Sequence, residues 1–184
     1  MSKPFISVIM PVRNAGLFVV AAVDSILQQS FTDFELIIVD DASTDDTRLK
    51  LNLIEDTRIM RLYNRKHTGN YKCRNQALEV AKGKYISVMD GDDIASPEKI
   101  LKQCDFMEKH PEYMATGTDI EFFSEDSKIS TLERLRNPEE IKVHLLKDNV
   151  CTHPTLMIKR EVFCDHKIRY NEDYFYSADY DLIL

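Results

Sequence analysis

Two aspartates, Asp90 and Asp92, stand two residues apart directly behind the apolar run Tyr85–Met89 (YISVM). In an extended chain such a pair points to one side, so the two carboxylates could hold a hard divalent cation, Mg²⁺ or Mn²⁺, through oxygen. A cation bound by so few protein groups keeps positions open for diphosphate oxygens and could stabilise the charge of a diphosphate leaving group. The same residues also suit an acidic loop in which Asp93 or Ser96 caps a following helix. A second acidic pair, Asp40-Asp41, follows the run Phe34–Val39 (FELIIV). Its carboxylates could accept from an imide N–H or from ribose hydroxyls, or belong to a capped loop before a helix.

Other chemistry-bearing segments read more plainly. His153, followed by Pro and Thr, suits a satisfied loop histidine as well as an active-site group. Tyr170, Tyr174, Tyr176 and Tyr180 suit core packing as well as an acceptor platform. The charge-rich stretch Arg61–Arg74 reads as a solvated face, or as a neighbour of a diphosphate. The chain has no GxGxxG, phosphate loop, HExxH or GxSxG motif.

The elements that must position these groups alternate. Phe5–Pro11 predicts a strand, the break at Asn14-Ala15-Gly16 a loop, and Val19, Ala22, Val23, Ile26 and Leu27 a helix. Phe34–Val39 predicts a second strand, with Ser43 as the N-cap of a helix carrying Asp45 and Asp46 in its first turn. Ile59–Tyr63 predicts a third strand. Cys73, Ala77, Val80 and Ala81 mark a helix face closed by Gly83 as C-cap, before the strand Tyr85–Met89. Ser96 as N-cap, Pro97 at the first position and Ile100, Leu101, Cys104 and Met107 on one face predict a further helix. Near-continuous apolar strands alternating with helices imply an α/β fold with a mainly parallel sheet covered on both faces, and ligands outside the carboxyl ends of its strands. Beyond this, Asp119–Ser124 and Thr155–Ile158 predict strands and Asn137-Pro138-Glu139-Glu140 opens a helix, which suggests a mixed-sheet extension.

At 184 residues the chain suits one domain with a real core, 43% hydrophobic and 30% charged. Its net charge, 24 − 31 = −7, is the wrong sign for nucleic acid binding. The four cysteines form no CxxC pair and read as reduced thiols of a cytosolic chain. No signal-peptide pattern or membrane-spanning apolar run is present.

Five blocks in order carry a family resemblance: ISVIMPVRN at 6–14, DSILQQSFTDFELIIVDDASTDDT at 24–47, RNQALEVAKGKYISVMDGDD at 74–93, HPTLMIKREVF at 153–163 and YNEDYFYSADYDL at 170–182. Together they resemble the family 2 glycosyltransferases of the GT-A fold, across essentially the whole chain. The resemblance implies a Rossmann-like three-layer α/β sandwich in a single domain, 1–184. Residues 1–93 form the nucleotide-sugar-binding half and residues 94–184 the start of an acceptor half that stops short of the family's extent.

It also implies roles. Asp92 is the metal ligand of the DxD motif, and Asp90 helps hold the ribose or a metal-bound water. Pro11, Arg13, Asn14, Asp40, Asp41, Gly69 and Arg74 belong to the nucleotide pocket, Asp41 as the acid facing uracil. Asp179 matches the catalytic base, with Asp181 and His153 close to the sugar or acceptor. The sequence departs from the family at Arg13, where an aromatic residue is common, and at Ala178, where many members have Glu. The implied activity is metal-dependent, inverting transfer of a sugar from a nucleotide-diphosphate donor, UDP-linked by family habit, to a glycan or glycolipid acceptor. By analogy it serves polysaccharide or glycoconjugate synthesis in the cytoplasm or at the inner face of a membrane. Two alternatives stay open: a non-catalytic nucleotide-sugar-binding fragment, and a phosphotransferase with Asp90 as nucleophile. The second is weakened by the late position of the Asp-Gly-Asp segment and by Ile94 where that class has Thr or Val.

Overall fold

In a computed structural model the described residues are 3–124, 127–165, 168–174 and 176–184. The strands are β1 Ile6–Val12, β2 Phe34–Asp40, β3 Ile59–Tyr63, β4 Tyr85–Val88, β5 Ala115–Thr116, β6 Ile120–Ser124, β7 Ser127–Leu132 and β8 Met157–Lys159. The helices are α1 Val19–Leu27, α2 Thr47–Leu53, α3 Asn70–Val80, α4 Lys99–Lys109, α5 Pro138–Leu145, α6 Arg160–Cys164 and α7 Ala178–Ile183, with a 3₁₀ turn at His153–Thr155.

Six strands form one sheet in the order β3-β2-β1-β4-β8-β5. The β1–β2, β2–β3 and β1–β4 pairs are parallel, whereas β8 runs antiparallel to both β4 and β5. The sheet is therefore parallel where βα units wind it and mixed where later chain returns, as the sequence led one to expect. Alternation along β1 separates two cores. Ile6, Val8, Met10 and Val12 face α1 and α4, where Val19, Val23, Ile26, Ile100 and Met107 meet them. Ile9, with Ile37, Val39, Ile86 and Val88, faces Cys73, Ala77 and Leu78 of α3, and Phe163 and Tyr170 beyond. A sheet hydrophobic on both faces needs a helical layer on each, which is the three-layer α/β architecture.

Several local expectations are corrected. Helix α2 starts at Thr47, and Ser43 does not cap it: its hydroxyl accepts from Asn14 N at 2.9 Å. Thr44 N donates to Asn14 Oδ1 at 2.8 Å and Gly16 N to Asp45 Oδ2 at 3.0 Å, so this acidic loop is tied to the end of β1 instead. Helix α4 starts at Lys99 rather than behind a Ser96 cap, and its N–H at Ile100 is satisfied by the buried Gln29 Oε1 at 3.0 Å. Gly83 is not a C-cap: α3 ends at Val80 with Ala81 in extended backbone behind it, and a Cβ at Gly83 would lie 2.4 Å from Ser7 N. Strand β4 ends at Val88 and Gly91-Asp92 form a turn, so Asp90 and Asp92 do not lie on an extended chain.

Asn137 caps α5 as expected, accepting from Glu139 N and Glu140 N. The β6–β7 hairpin, in contrast, is a separate two-stranded sheet whose second strand gave no sequence signal.

Candidate functional site

A cleft of about 410 Å³ opens at the carboxyl ends of β1, β2 and β4. Pro11, Arg13 and Asn14 enter it from β1 and the loop behind, Asp41 from behind β2, and Asp90, Gly91 and Asp92 from behind β4. His67, Asn70, Cys73 and Phe18 complete much of the wall.

Asp41 is almost fully buried. Its Oδ1 accepts from Thr68 N at 2.8 Å, Thr68 Oγ1 at 2.9 Å and Asn64 Nδ2 at 3.2 Å; its Oδ2 accepts from Gly69 N at 2.8 Å and meets His67 Nδ1 at 2.6 Å. Burial pushes this carboxyl up, but the hydrogen bonds from Asn64, Gly69 and Thr68 outweigh it and bring the pKa down to about 2. Gly69 reaches Asp41 with φ 96° and ψ 156°, backbone that glycine adopts without strain.

Asp40 serves another purpose. It is 0% exposed, and its Oδ2 takes Arg48 Nε at 3.0 Å and Nη2 at 2.7 Å, while Oδ1 takes Ser43 N at 3.2 Å. It lies outside the cleft lining and holds α2 to the end of β2. Asn14 adopts φ 50°, and its carboxamide oxygen accepts from Thr44 N. Arg13 is exposed at the cleft, with no hydrogen bond or ion pair among the described residues.

Below the turn behind β4, buried Arg74 donates through Nη2 to Asp90 Oδ1. Its Nε and Nη1 have no partner among the described residues. Arg74 and Gly69 thus stand behind the cleft, one supporting Asp90 and the other Asp41. Asp92 is exposed and makes no hydrogen bond or ion pair among the described residues. A Cβ at Gly91 would lie 2.6 Å from Val12 Cγ1, so only glycine lets this turn sit on the end of β1. The charges of Asp90 and Asp92, together with burial as the larger cause, hold Asp93 above the usual carboxylate range.

Among the described residues no three His, Cys, Asp or Glu groups could hold a metal by themselves. Two carboxylates in a cleft nevertheless suit a hard cation that completes its shell with phosphate oxygens and water.

Asp179 lies half-buried in the first turn of α7. Tyr71 Oη donates to its Oδ1 at 3.3 Å and Asn149 Nδ2 to its Oδ2 at 3.2 Å. Asp181 is exposed two residues further along the same helix. His153 is buried, its Nε2 2.9 Å from Tyr170 Oη, and burial, then the Arg74 charge, bring its pKa down to about 3. Neither His153 nor Asp179 lines the cleft. His153 packs behind Arg74, whereas Asp179 is linked to the cleft wall through Tyr71, the neighbour of Asn70.

The family model for glycosyl transferase family 2 matches residues 7–166. The chain belongs to that family. Among curated glycosyltransferases, the Escherichia coli UDP-Glc:α-D-GlcNAc-diphosphoundecaprenol β-1,3-glucosyltransferase WfaP is 42% identical over 103 residues, 56% of this chain and 41% of that protein. Among solved structures, S. aureus TarS 1–349 in complex with UDP superposes with a TM-score of 0.78 at 22% identity, covering 96% of this chain and 53% of that one. The mannosyltransferase PcManGT from Pyrobaculum calidifontis, in complex with GDP-Man and Mn²⁺, gives 0.71 at 19% identity over 99% of this chain and 51% of its own. Likeness at such identity speaks for the GT-A fold. Relatives matched over most of this family 2 chain are 32 to 37% identical to it, and it spans 58 to 64% of their length.

Set against these family 2 assignments, the cleft brings together Pro11, Arg13, Asn14, Asp41, Asp90 and Asp92, while Asp40, Gly69, Arg74, His153, Asp179 and Asp181 stand outside its lining. Sequence reasoning missed His67, Asn64 and Thr68, all inside the stretch read as a solvated face. Their position behind β3, at the same sheet edge as both acidic pairs, was the available signal.

Proposed function

We propose that this chain is the donor-binding part of an inverting family 2 glycosyltransferase that moves a sugar from a UDP-sugar to an acceptor hydroxyl of a glycan or glycolipid. The observation that carries the reading is the meeting of Asp41, Arg13, Asn14, Asp90 and Asp92 in one cleft at the carboxyl ends of three parallel strands. UDP in TarS, GDP-Man with Mn²⁺ in PcManGT and the UDP-Glc donor in the name of WfaP support a nucleotide-linked donor and a divalent cation. The diphosphoundecaprenol acceptor named for WfaP supports a lipid-linked acceptor and work at the inner face of a membrane. No helix among the described residues is long and apolar enough to cross one.

Asp41 accepts the imide N–H of the base, and Asn14 and Pro11 shape the floor beneath it. Arg13 brings an unpaired guanidinium to the diphosphate. Asp92, with Asp90, would hold a Mn²⁺ or Mg²⁺ ion, which when bound neutralises charge on the departing diphosphate. Asp179 accepts the proton of the acceptor hydroxyl as its oxygen attacks the anomeric carbon in line, and one displacement inverts that centre.

Calorimetric titration of UDP, with dTDP and GDP as comparators, with and without Mn²⁺, tests the donor site in this chain and in Asp92→Ala. Metal-dependent binding that disappears in Asp92→Ala is expected. Absence of nucleotide binding by the folded chain would sink the donor site. Asp179→Asn in an active form should abolish transfer and spare UDP binding; normal turnover there would remove Asp179 as the base. A second reading, a donor-binding module that does no chemistry, is favoured by one fact: Asp179 lies outside the cleft lining, bonded to Tyr71 and Asn149. It predicts UDP binding with neither transfer nor donor hydrolysis.

A further inference from the structure

The carboxylate of Asp41 has no vacancy. Two oxygens offer about four lone-pair positions, and five donors surround them. Three of these contacts come from Thr68 and the Gly69 backbone, set by the loop that precedes α3. The fourth, from Asn64, is woven into a network with Thr68, Cys73 and Gln76. Only His67 differs: its side chain is 53% exposed against 4% for that of Asp41, it lines the cleft, and its other ring nitrogen makes no hydrogen bond among the described residues.

Resting on the nucleotide-site reading above, we propose that His67 is the exchangeable gate of Asp41. A base presenting a ring N–H takes the place of the imidazole on Oδ2, and His67 turns out toward solvent. Uracil and guanine carry such an N–H beside a carbonyl, so one donor replaces another and the hydrogen-bond count is kept. Cytosine and adenine present a lone pair at the corresponding ring position. They cannot repay Asp41 for the lost imidazole, and the lone pair would face a carboxylate. His67 therefore guards the site: it opposes every base, and Asp41 beneath it decides which one replaces the hydrogen bond. The Asn64, Thr68 and Gly69 donors keep Asp41 ionised and fixed while the exchange occurs.

The test has two arms, with UDP and CDP as probes in the presence of Mn²⁺. In the unaltered chain, nitrogen NMR of ¹⁵N-labelled histidine should show the Nδ1 hydrogen-bonded signal of His67 shifting to a solvent-exposed value on saturation with UDP, and not on addition of CDP. In His67→Ala the competitor is gone, so UDP should bind about three- to tenfold tighter, while CDP still binds more weakly than UDP because Asp41 faces its lone pair. A His67 signal unmoved by saturating UDP, or weaker UDP binding in His67→Ala, overturns the gate and leaves the nucleotide site standing. No UDP binding to either chain overturns both.

Discussion

Arg74 donates to Asp90 from a side chain only 2% exposed, whereas the carboxylate it holds is 32% exposed and reaches the cleft. The pair joins the interior to the site: the cation is locked below, and the acid is presented above. Asp92, two residues on, carries no such tie among the described residues.

This division predicts different outcomes for two neighbouring acids. Asp90→Asn strands the Arg74 charge in the interior and should cost about 2–4 kcal/mol of stability. Asp92→Ala removes an exposed group and should stay within about 0.5 kcal/mol of the parent. Urea denaturation of both variants decides it; equal destabilisation would mean that Asp92 also serves the fold.

Asp41 contributes to the acid limb of stability. Its pKa is lowered from 3.8 to about 2, so the folded form gains above the unfolded value and loses that gain as pH falls through about 2. The shift corresponds to about 2.5 kcal/mol. Asp41→Asn should be less stable at neutral pH and show a shallower decline than the parent between roughly pH 4 and 2, as read by denaturant midpoints across that range. A parallel decline in both proteins would assign it to other carboxyls.

His153 acts in a different window. Its pKa falls from 6.5 to about 3, so below the higher value the unfolded chain binds a proton that the folded chain refuses, and stability declines as pH falls toward about 3. His153→Gln should flatten the stability profile there and leave the pH dependence of sugar transfer unchanged. A displaced transfer profile would give His153 a direct part in the reaction.

Gly91 offers a steric test. An added Cβ would meet Val12 Cγ1 at 2.6 Å, so Gly91→Ala should cost about 1–3 kcal/mol and weaken UDP binding, because the turn carrying Asp92 must lift. Val12→Ala in the same chain should restore most of the binding. Failure of that rescue would place the defect in the backbone.

The main strands and the acidic pairs at their ends were legible because burial on both faces writes itself as unbroken apolar runs such as FELIIV. The helix starts were less so. Ser96-Pro97-Glu98 has the chemistry of a helix opening, yet α4 begins at Lys99 because Gln29, 71 residues earlier than Ile100, supplies the acceptor. No local pattern announces such a partner. Asp40 and Asp41 show the same limit: adjacent and alike in sequence, they lie on opposite sides of the backbone, one bound by Arg48 and the other facing the cleft. His67 was hidden among charges that usually mean solvent.

Strand β4 carries the DxD turn, yet one of its two edges is closed by β8, whose Met157 follows Val88 by roughly 70 residues. During synthesis at about 5–20 residues per second, β1 to β4 can assemble while that edge waits some 3–14 seconds for its partner. Buried Ile86 and Val88 border an open row of backbone donors and acceptors throughout this interval. The interval before β8 emerges is when the nascent chain is most open to wrong pairing, and a translational pause between residues 90 and 157 would lengthen it.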